Sequence, residues 1–253
     1  CIAIIGAGPA GIFAAKELAA NNNQVVLLNR DIKPGGLAEY GIYPTKNKIK
    51  DGLRKQFYSI LANENVSYFG NVVVGEKSDI TLNELRELGF DAILVATGAQ
   101  GTKWLGLPGE ELNGCYHAKD IVYHFNQLPP HSNHEFKIGK KVAIIGVGNV
   151  MMDITRFLIT QKNVEVVTAI ARRGPAEVKF TRKELEYVVK NLDMDDYLTE
   201  IERVSPVMNS LSQDPFESVK FIREAFPNAE DTHSDSVFRI KFLASPTRII
   251  GNE

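Results

Sequence analysis

The hydrophobic and polar positions of the sequence form short apolar runs and stretches of helical spacing, and the same order of segments occurs twice. The apolar run Ile2–Ile5 is followed by a glycine-rich turn, by helical spacing over Pro9–Ala20 and by a second apolar run at residues 25–28. Short apolar runs predict buried strands, and apolar residues three or four positions apart predict a helix packed on them. The chain therefore opens with a predicted β-α-β unit.

A second unit of the same kind begins with the apolar run Lys141–Ile145. It continues through a glycine turn at residues 146–148, helical spacing at residues 149–160 and another apolar run at residues 164–170. Strands joined through helices pair in parallel, so two such units predict an α/β protein with two Rossmann-like dinucleotide-binding domains.

The chain between the two units predicts further elements of a sheet. An amphipathic helix is expected at residues 47–63, short strands around Tyr68 and at residues 72–74, a helix at residues 82–88 and a buried strand at residues 92–96. Residues 128–140 contain a proline pair and lack periodicity, which predicts an exposed connection. Residues 228–236 are polar and predict a mobile loop.

The first glycine turn carries candidate chemistry. Gly6-Ala7-Gly8-Pro9-Ala10-Gly11 matches G-x-G-x-x-G between a strand and a helix. In this motif the first glycine allows the tight turn, the second lets a pyrophosphate approach the backbone, and the third lets the helix lie close to the strand. The phosphate would meet the free N–H groups at the start of the helix, so the segment predicts a dinucleotide site.

Asn29 stands at the end of the second strand, where such sites usually carry an acid that binds the adenosine ribose. Its amide oxygen can still accept that hydrogen bond, so we expect Asn29 to be a ribose contact. The alternative is that Asn29 serves only the turn at the end of the strand.

The second unit carries Arg172 and Arg173 directly after its second strand. An acid at this position favours NADH, whereas the planar guanidinium groups of arginine suit a 2′-phosphate. The sequence therefore predicts NADPH in the second unit. The alternative is an ordinary solvated arginine pair.

Composition narrows the class of protein. The 253 residues are 44% hydrophobic and 24% charged, with a formal net charge of -2, which disfavours nucleic acid or an anionic membrane as the main partner. No apolar run approaches the roughly 20 residues of a membrane-spanning helix. Cys1 and Cys115 are far apart, which disfavours a zinc site or a dithiol centre, and no metal site is predicted. We expect a cytoplasmic protein, or one of the mitochondrial matrix if the source is eukaryotic.

Several motifs then occur in an order that resembles one family. They are the GAGPAG turn, Lys33-Pro34-Gly35-Gly36-Leu37, Gly70-Asn71-Val72-Val73-Val74-Gly75, Ala96-Thr97-Gly98, Gly146-Val147-Gly148-Asn149-Val150-Met151-Met152-Asp153, Arg172-Arg173-Gly174-Pro175 and Phe180-Thr181-Arg182-Lys183-Glu184-Leu185. Together they resemble the adrenodoxin reductase family of NADPH:ferredoxin oxidoreductases, within the glutathione-reductase-like flavoproteins that have two dinucleotide folds. The resemblance runs from Ile2 to about Glu186, and more loosely to Pro246.

The resemblance implies an FAD-binding domain at residues 1–103 and an NADP-binding domain at residues 104–253. The implied FAD contacts are Gly6, Gly8, Pro9, Ala10, Gly11, Asn29, Arg30, Gly36, Leu37, Val74, Ala96, Thr97 and Gly98. The implied NADP(H) contacts are Gly146, Val147, Gly148, Asn149, Val150, Arg172, Arg173 and Glu184. No protein side chain is predicted to be a catalytic nucleophile, because the flavin carries the chemistry.

Three positions depart from the family pattern. Asn29 replaces the acid, Lys46 stands in place of a histidine near the flavin, and Met151 replaces the third small residue of the second turn. The bulk of Met151 should push the helix away from the strand. The late glycine-rich segment that completes the FAD domain in this family does not follow residue 237, so we expect this domain to be incomplete at its C-terminal part.

The implied function is hydride transfer from NADPH to FAD, followed by single-electron transfer to a ferredoxin-like iron–sulfur protein. The basic residues Lys46, Lys48, Lys50, Arg54 and Lys55 are either a solvated helix face or a docking surface for such an acidic partner. The alternatives are a flavoprotein like the small subunit of glutamate synthase and a truncated nucleotide-binding module without turnover. Disulfide reductases are disfavoured because closely spaced cysteines are lacking.

Overall fold

The computed structural model describes residues 1–99, 101–162 and 164–251. The chain forms two compact units, Cys1–Thr102 with Val122–Asn133, and Lys103–Ile121 with His134–Glu253. The predicted boundary between the FAD and NADP domains, at residues 103 and 104, stays a prediction.

The first unit is built on a parallel sheet of four strands in the order β3-β2-β1-β4. Its elements are β1 (Ile2–Ile5), α1 (Pro9–Ala20), β2 (Val25–Asn29), α2 (Leu37–Tyr40), α3 (Asn47–Leu61), β3 (Val66–Gly70), α4 (Leu82–Glu87), β4 (Ala92–Val95) and α5 (Ala118–Phe125), which crosses the division between the units. Because β1 pairs with β2 on one side and β4 on the other, the carboxyl ends of these three strands meet at one edge of the sheet.

The core of the first unit lies between the sheet and helices α1 and α3. Ile4, Ile12 and Leu27 are fully buried, and Phe57 and Ile60 of α3 close the cluster. Helix α1 begins at Pro9, whose fixed φ suits a first helical position. Each fully buried aliphatic side chain contributes roughly 1.5–3 kcal/mol, so this interface fixes the turn between β1 and α1.

Some expectations for the first unit are wrong. Residues 72–74 form no strand in the described structure, and only Val74 makes an isolated bridge to Ile80. Strand β4 was expected to be buried, but its Leu94 and Val95 are exposed because it is the edge strand of the sheet. The stretch 128–140 is not simply an exposed connection, since Leu128 and Phe136 are buried.

The second unit contains a parallel sheet of three strands in the order β5-β6-β7. Its elements are β5 (Lys141–Ile145), α6 (Asn149–Gln161), β6 (Val166–Ile170), α7 (Arg182–Leu185), α8 (Met194–Ser210), α9 (Phe216–Arg223) and β7 (Val237–Lys241). Single 3-10 turns lie at His131–Asn133 in the first unit and at Pro175–Glu177, Val189–Asn191 and Phe226–Asn228 in the second.

The polar segment at residues 228–236 is anchored before β7. The side-chain amide of Asn191 donates to the carbonyl oxygens of Ser234 and Ser236, both at 2.9 Å, and Ser236 is buried. Throughout residues 1–99, 101–162 and 164–251, no helix combines the length and apolar character needed to cross a membrane.

Two candidate dinucleotide-binding sites

The first glycine turn has a backbone that two of its glycines make possible. Gly6 has a φ of +108°, and a Cβ there would lie 2.5 Å from the carbonyl oxygen of Ala96. A Cβ on Gly11 would collide with the carbonyl oxygen of Gly6. The turn therefore fits under α1 and beside the end of β4 only with glycine at both positions.

Gly8 stands at the start of α1 with space in front of it. Apart from its chain neighbours, no described atom lies within 4 Å of the position that a Cβ would occupy. The described residues supply no side-chain cap and no acidic residue in the first turn of α1. The helix N-terminus therefore presents uncapped N–H groups and the positive end of its dipole to an open approach, the arrangement that suits a phosphate.

The Gly35-Gly36-Leu37 segment lies against this turn. The N–H of Gly35 donates to the carbonyl oxygen of Ala7 at 2.7 Å. Gly36 has a φ of +51°, and a Cβ there would lie 3.0 Å from the Cα of Gly8. Leu37 follows as an exposed apolar residue. The structure thus brings the two predicted FAD segments together.

Asn29 is buried and ties the turn to the chain after β2. Its Oδ1 accepts a hydrogen bond from the N–H of Ala7 at 3.0 Å, and its Nδ2 donates to the carbonyl oxygen of Asp31 at 2.7 Å. The geometry shows the turn-serving role directly. A carbonyl oxygen can accept a second hydrogen bond, so the ribose contact stays a prediction.

The other predicted FAD contacts fall into four places. Pro9 and Ala10 are exposed in the first turn of α1, and Arg30 is paired with Asp31 through a 3.1 Å contact. Val74 packs against Ile5, Leu28 and Leu85 in a small apolar cluster. Ala96, Thr97 and Gly98 follow β4, where the N–H of Ala96 donates to the carbonyl oxygen of Ile5 at 2.8 Å.

An ion pair near this site was not expected from the sequence. Glu39 of α2 is buried and accepts two hydrogen bonds from Arg54 of α3, at 2.8 and 2.7 Å. The hydrogen bonds from Arg54 hold the pKa of Glu39 below its usual value although burial opposes them. The pair joins α2, which follows Gly36, to α3, and it borders a cavity of about 230 Å³ lined by Lys33, Pro34, Glu39, Arg54, Phe57 and Tyr58.

The same contacts correct part of the basic-surface interpretation. Lys50 is buried and its Nζ donates to Asn126 Oδ1 at 2.9 Å. Burial lowers the pKa of Lys50. Lys50 and Arg54 are therefore tied to neighbouring side chains, while Lys48 and Lys55 remain exposed. The interpretation of all five basic residues as a solvated helix face is therefore wrong for Lys50.

The second glycine turn repeats the first with more room. Gly146 has a φ of +120° and its N–H donates to the carbonyl oxygen of Ile170 at 2.9 Å. Gly148 immediately precedes α6, and within the described chain the first turn of this helix likewise lacks a side-chain cap and an acid. Met151 occupies the place equivalent to Gly11 and is 3% exposed. The space between the helix and the turn therefore accommodates this side chain, and the expected displacement of the helix from the strand stays a prediction.

The segment before α7 lies over this second turn. The N–H of Lys179 donates to the carbonyl oxygen of Val147 at 3.2 Å, and the N–H of Thr181 donates to Asn149 Oδ1 at 2.8 Å. Thr181 also caps α7 by accepting a hydrogen bond from the N–H of Glu184 at 3.4 Å. The turn, Asn149 and Glu184 are thus held together, while Val150 is exposed.

Arg172 and Arg173 follow β6 and are both exposed. The described part of the chain gives their side chains no ion pair and no hydrogen bond. Because α6 starts at the end of the neighbouring strand β5, these two cations lie at the same edge of the sheet as the second glycine turn.

Comparison with known proteins identifies the family. The sequence model of the pyridine nucleotide-disulphide oxidoreductase family matches residues 1–202. The chain belongs to this family. It does so without a disulfide among its own cysteines, since Cys1 and Cys115 are both free.

Individual relatives show which members of the family the chain is similar to. The mitochondrial NADPH:adrenodoxin oxidoreductase of Arabidopsis thaliana is 33% identical over 76% of this chain and 44% of its own length. NADPH-ferredoxin reductase FprA of Mycobacterium leprae is 32% identical over 99% of this chain and 60% of its own length. The structure of Mycobacterium tuberculosis FprA in complex with NADPH matches with a TM-score of 0.76 at 29% identity, over 99% of this chain and 61% of that one.

These matches confirm the predicted family, the α/β fold with two dinucleotide-binding domains, and, for the family, FAD and NADP(H) as cofactors. The chain spans about 44 to 60% of the length of the curated relatives named above. The individual FAD and NADP(H) contacts stay predictions.

Proposed function

We propose that the chain is the nucleotide-binding part of an NADPH-dependent flavoprotein that passes electrons to a ferredoxin-like iron–sulfur protein. The observation that carries the proposal is the pair of uncapped helix N-termini, one after each glycine turn, of which the second lies beside Arg172 and Arg173. The names of the relatives, NADPH:adrenodoxin oxidoreductase and NADPH-ferredoxin reductase, supply the donor and the acceptor.

In this proposal the first unit holds FAD. Gly8, Ala10 and Gly11 offer backbone groups to the pyrophosphate, Gly36 and Leu37 cover it, and Asn29 fixes the turn that shapes the site. Arg30, Val74 and residues 96–98 complete the predicted contacts. FAD supplies the chemistry when bound, because a flavin accepts two electrons as a hydride and releases them singly.

The second unit holds NADPH. The helix N-terminus at Gly148 and the backbone of residues 146–150 bind the pyrophosphate, and the arginine pair binds the 2′-phosphate. Glu184, whose N–H donates to Thr181 Oγ1, is the proposed contact to the nicotinamide half of the molecule. The protein side chains bind and orient the cofactors, and none of them forms a covalent intermediate.

The relatives support the partner and the compartment that we propose. Electrons leave to a ferredoxin-like protein, as the names of the relatives state for those proteins. We place the protein in the cytoplasm or in the mitochondrial matrix, and the mitochondrial relatives support the second place.

The visible spectrum of the purified protein tests the proposal. Flavin bands at about 370 and 450 nm that NADPH bleaches and NADH does not are the expected result. Replacing both arginines, Arg172→Ala with Arg173→Ala, should weaken the binding of NADPH roughly 10- to 100-fold, because charge-assisted contacts to the phosphate are lost. The binding of NADH should change little.

Arg248 provides the matched control, since it is an exposed arginine of the same unit. Arg248→Ala should leave bleaching by NADPH unchanged. A colourless protein that binds NADPH would contradict the proposed reductase. It would support the alternative, a nucleotide-binding module without turnover. Reduction of a ferredoxin by the NADPH-loaded protein checks the acceptor, and failure with every ferredoxin tried would contradict that part of the proposal.

A further inference from the structure

Helix α8 supports the arginine loop of the second unit from two sides. The loop, residues 171–174, contains Arg172 and Arg173 and ends at Gly174. A Cβ on Gly174 would collide with the Sδ of Met208, near the C-terminal end of α8. The helix therefore packs directly on the residue that follows the arginines, which limits how the loop can move toward α8.

The second support is a buried carboxylate in the middle of the same helix. Glu200 is 3% exposed, and its Oε1 accepts a hydrogen bond from the N–H of Phe242 at 2.7 Å. Arg203 donates to both oxygens of Glu200, at 2.9 and 2.7 Å, and to the carbonyl oxygen of Phe242 at 2.6 Å. Both backbone polar groups of Phe242 are thus held by one ion pair, of which the carboxylate is buried and the guanidinium is half-exposed.

The residues after Phe242 form hydrogen bonds with the backbone of the arginine loop. The N–H of Leu243 donates to the carbonyl oxygen of Arg173 at 3.2 Å, and the N–H of Ala244 donates to the carbonyl oxygen of Ala171 at 2.9 Å. Leu243 has a φ of +48°, which is strained for a leucine. The fixed Phe242 keeps Leu243 in that conformation, so the backbone on both sides of Arg172 depends on it.

We propose that Glu200, with Arg203, is a positioning residue for coenzyme selectivity: it holds the Phe242–Ala244 segment that sets where Arg172 and Arg173 meet a 2′-phosphate. This inference rests on the proposed NADPH site. The ion pair does not touch the coenzyme and acts through the backbone of residues 242–244.

The charge state of Glu200 agrees with this role. Burial raises the pKa of Glu200, but hydrogen bonds from Arg203 and from the Phe242 N–H outweigh burial and leave the pKa below its usual value. Glu200 is therefore an ion at neutral pH. Breaking the pair from the Arg203 side would leave the buried carboxylate of Glu200 without its two hydrogen bonds from the guanidinium.

The experiment compares the binding of two probes, 2′,5′-ADP and 5′-AMP, by calorimetric titration of the full chain. The first carries the 2′-phosphate and the second lacks it. Glu200→Gln removes the charge at almost constant volume. Arg203→Lys removes the planar fork while keeping the charge, and it starts from a half-exposed side chain that tolerates substitution. Glu202→Gln is the matched control, an exposed acid on the same helix.

We expect Glu200→Gln and Arg203→Lys to weaken the binding of 2′,5′-ADP about 5-fold or more. The binding of 5′-AMP to these variants, and of both probes to the control, should change less than about 2-fold. Equal loss of both probes, or no loss of either, overturns the inference and leaves the pair a structural one. If Glu200→Gln does not fold, Arg203→Lys decides alone. If the unchanged protein binds both probes equally, the proposed NADPH site itself fails and this inference with it.

Discussion

At the scale of single residues, the two glycine turns differ most at their third small position. Gly11 leaves no room for a Cβ because the carbonyl oxygen of Gly6 lies in the way. Met151 stands at the same place in the second turn and is buried. The same motif position is therefore a strict steric requirement in one unit and an ordinary core position in the other.

This difference predicts the effect of an added methyl group. Gly11→Ala should destabilise the first unit by about 1–3 kcal/mol, the usual range for an overpacked contact, because α1 must move away from the turn. Chemical denaturation monitored by circular dichroism measures the change. If the protein carries flavin, the substitution should also release it, since the turn and the helix N-terminus move apart.

Gly52 is the matched control for that substitution. It lies within α3 and is exposed, and beyond its own stretch of helix no described atom comes within 4 Å of the place that a Cβ would take. Gly52→Ala should stabilise the protein by about 0.5–1 kcal/mol, because alanine restricts the unfolded chain and favours the helix. Equal destabilisation by both substitutions would contradict the steric argument for Gly11.

At the scale of elements, short helices are placed by polar contacts as well as by apolar packing. Helix α2 has four residues, too few to be stable alone, and its position depends on what holds Glu39. The bidentate pair with Arg54 joins it to the fifteen-residue helix α3, which is anchored in the core by Phe57 and Ile60. The segment that meets Gly8 is thus fixed by an ion pair.

The pair predicts a pH-dependent effect of Glu39→Gln. At pH 7 the variant should be less stable by about 1–2 kcal/mol, below the range for fully buried pairs because Arg54 is 40% exposed. The pKa of Glu39 is lowered in the folded state, so its contribution is present above the unfolded pKa and is lost as pH falls through the folded value. The difference between the two proteins should therefore shrink below pH of about 4.5.

Asp51 serves as the control, because it pairs with the same Arg54 at 3.2 Å but is exposed. Asp51→Asn should change the free energy of unfolding by less than about 0.5 kcal/mol. Unfolding curves at several pH values measure both variants. A Glu39→Gln deficit that stays constant from pH 7 to pH 3 would show that the lost stability does not come from the charge of Glu39.

At the scale of the whole molecule, the chain carries two compact units, and each has its own parallel sheet and its own glycine turn. The net charge of -2 is spread over 29 basic and 31 acidic residues. The proposed nucleotide sites therefore depend on local cations such as Arg172 and Arg173, and not on a general positive field.

Hydrogen exchange tests whether each ligand protects its own unit. With 2′,5′-ADP at about 100 times its dissociation constant, binding stabilises by about 2.7 kcal/mol, and exchange should slow in peptides that cover residues 147–150 and 172–174. Peptides that cover residues 6–11 should be unchanged. Protection of residues 6–11 with none at residues 172–174 would contradict the proposed site, because it would show that the probe binds at the first glycine turn.

Much of the architecture was readable from the sequence, because local patterns determine local structure. Strand β1, helix α1 and strand β5 begin and end where the apolar pattern places them. The glycine turns were recognisable because backbone conformations with positive φ favour glycine, which is visible in the sequence. The family was recognisable because the motifs keep their order along the chain.

Contacts between residues distant in sequence were decided by the tertiary structure alone. The exposure of β4 depends on the order of strands in the sheet, and the burial of Lys50 depends on Asn126, which is 76 positions later. The same holds for the Glu39–Arg54 pair and for the link from Glu200 through Phe242 to Arg173. The sequence shows the same residue type whether a charged side chain lies on the surface or in the core. Only the packed structure therefore shows which charges are buried and which groups they contact.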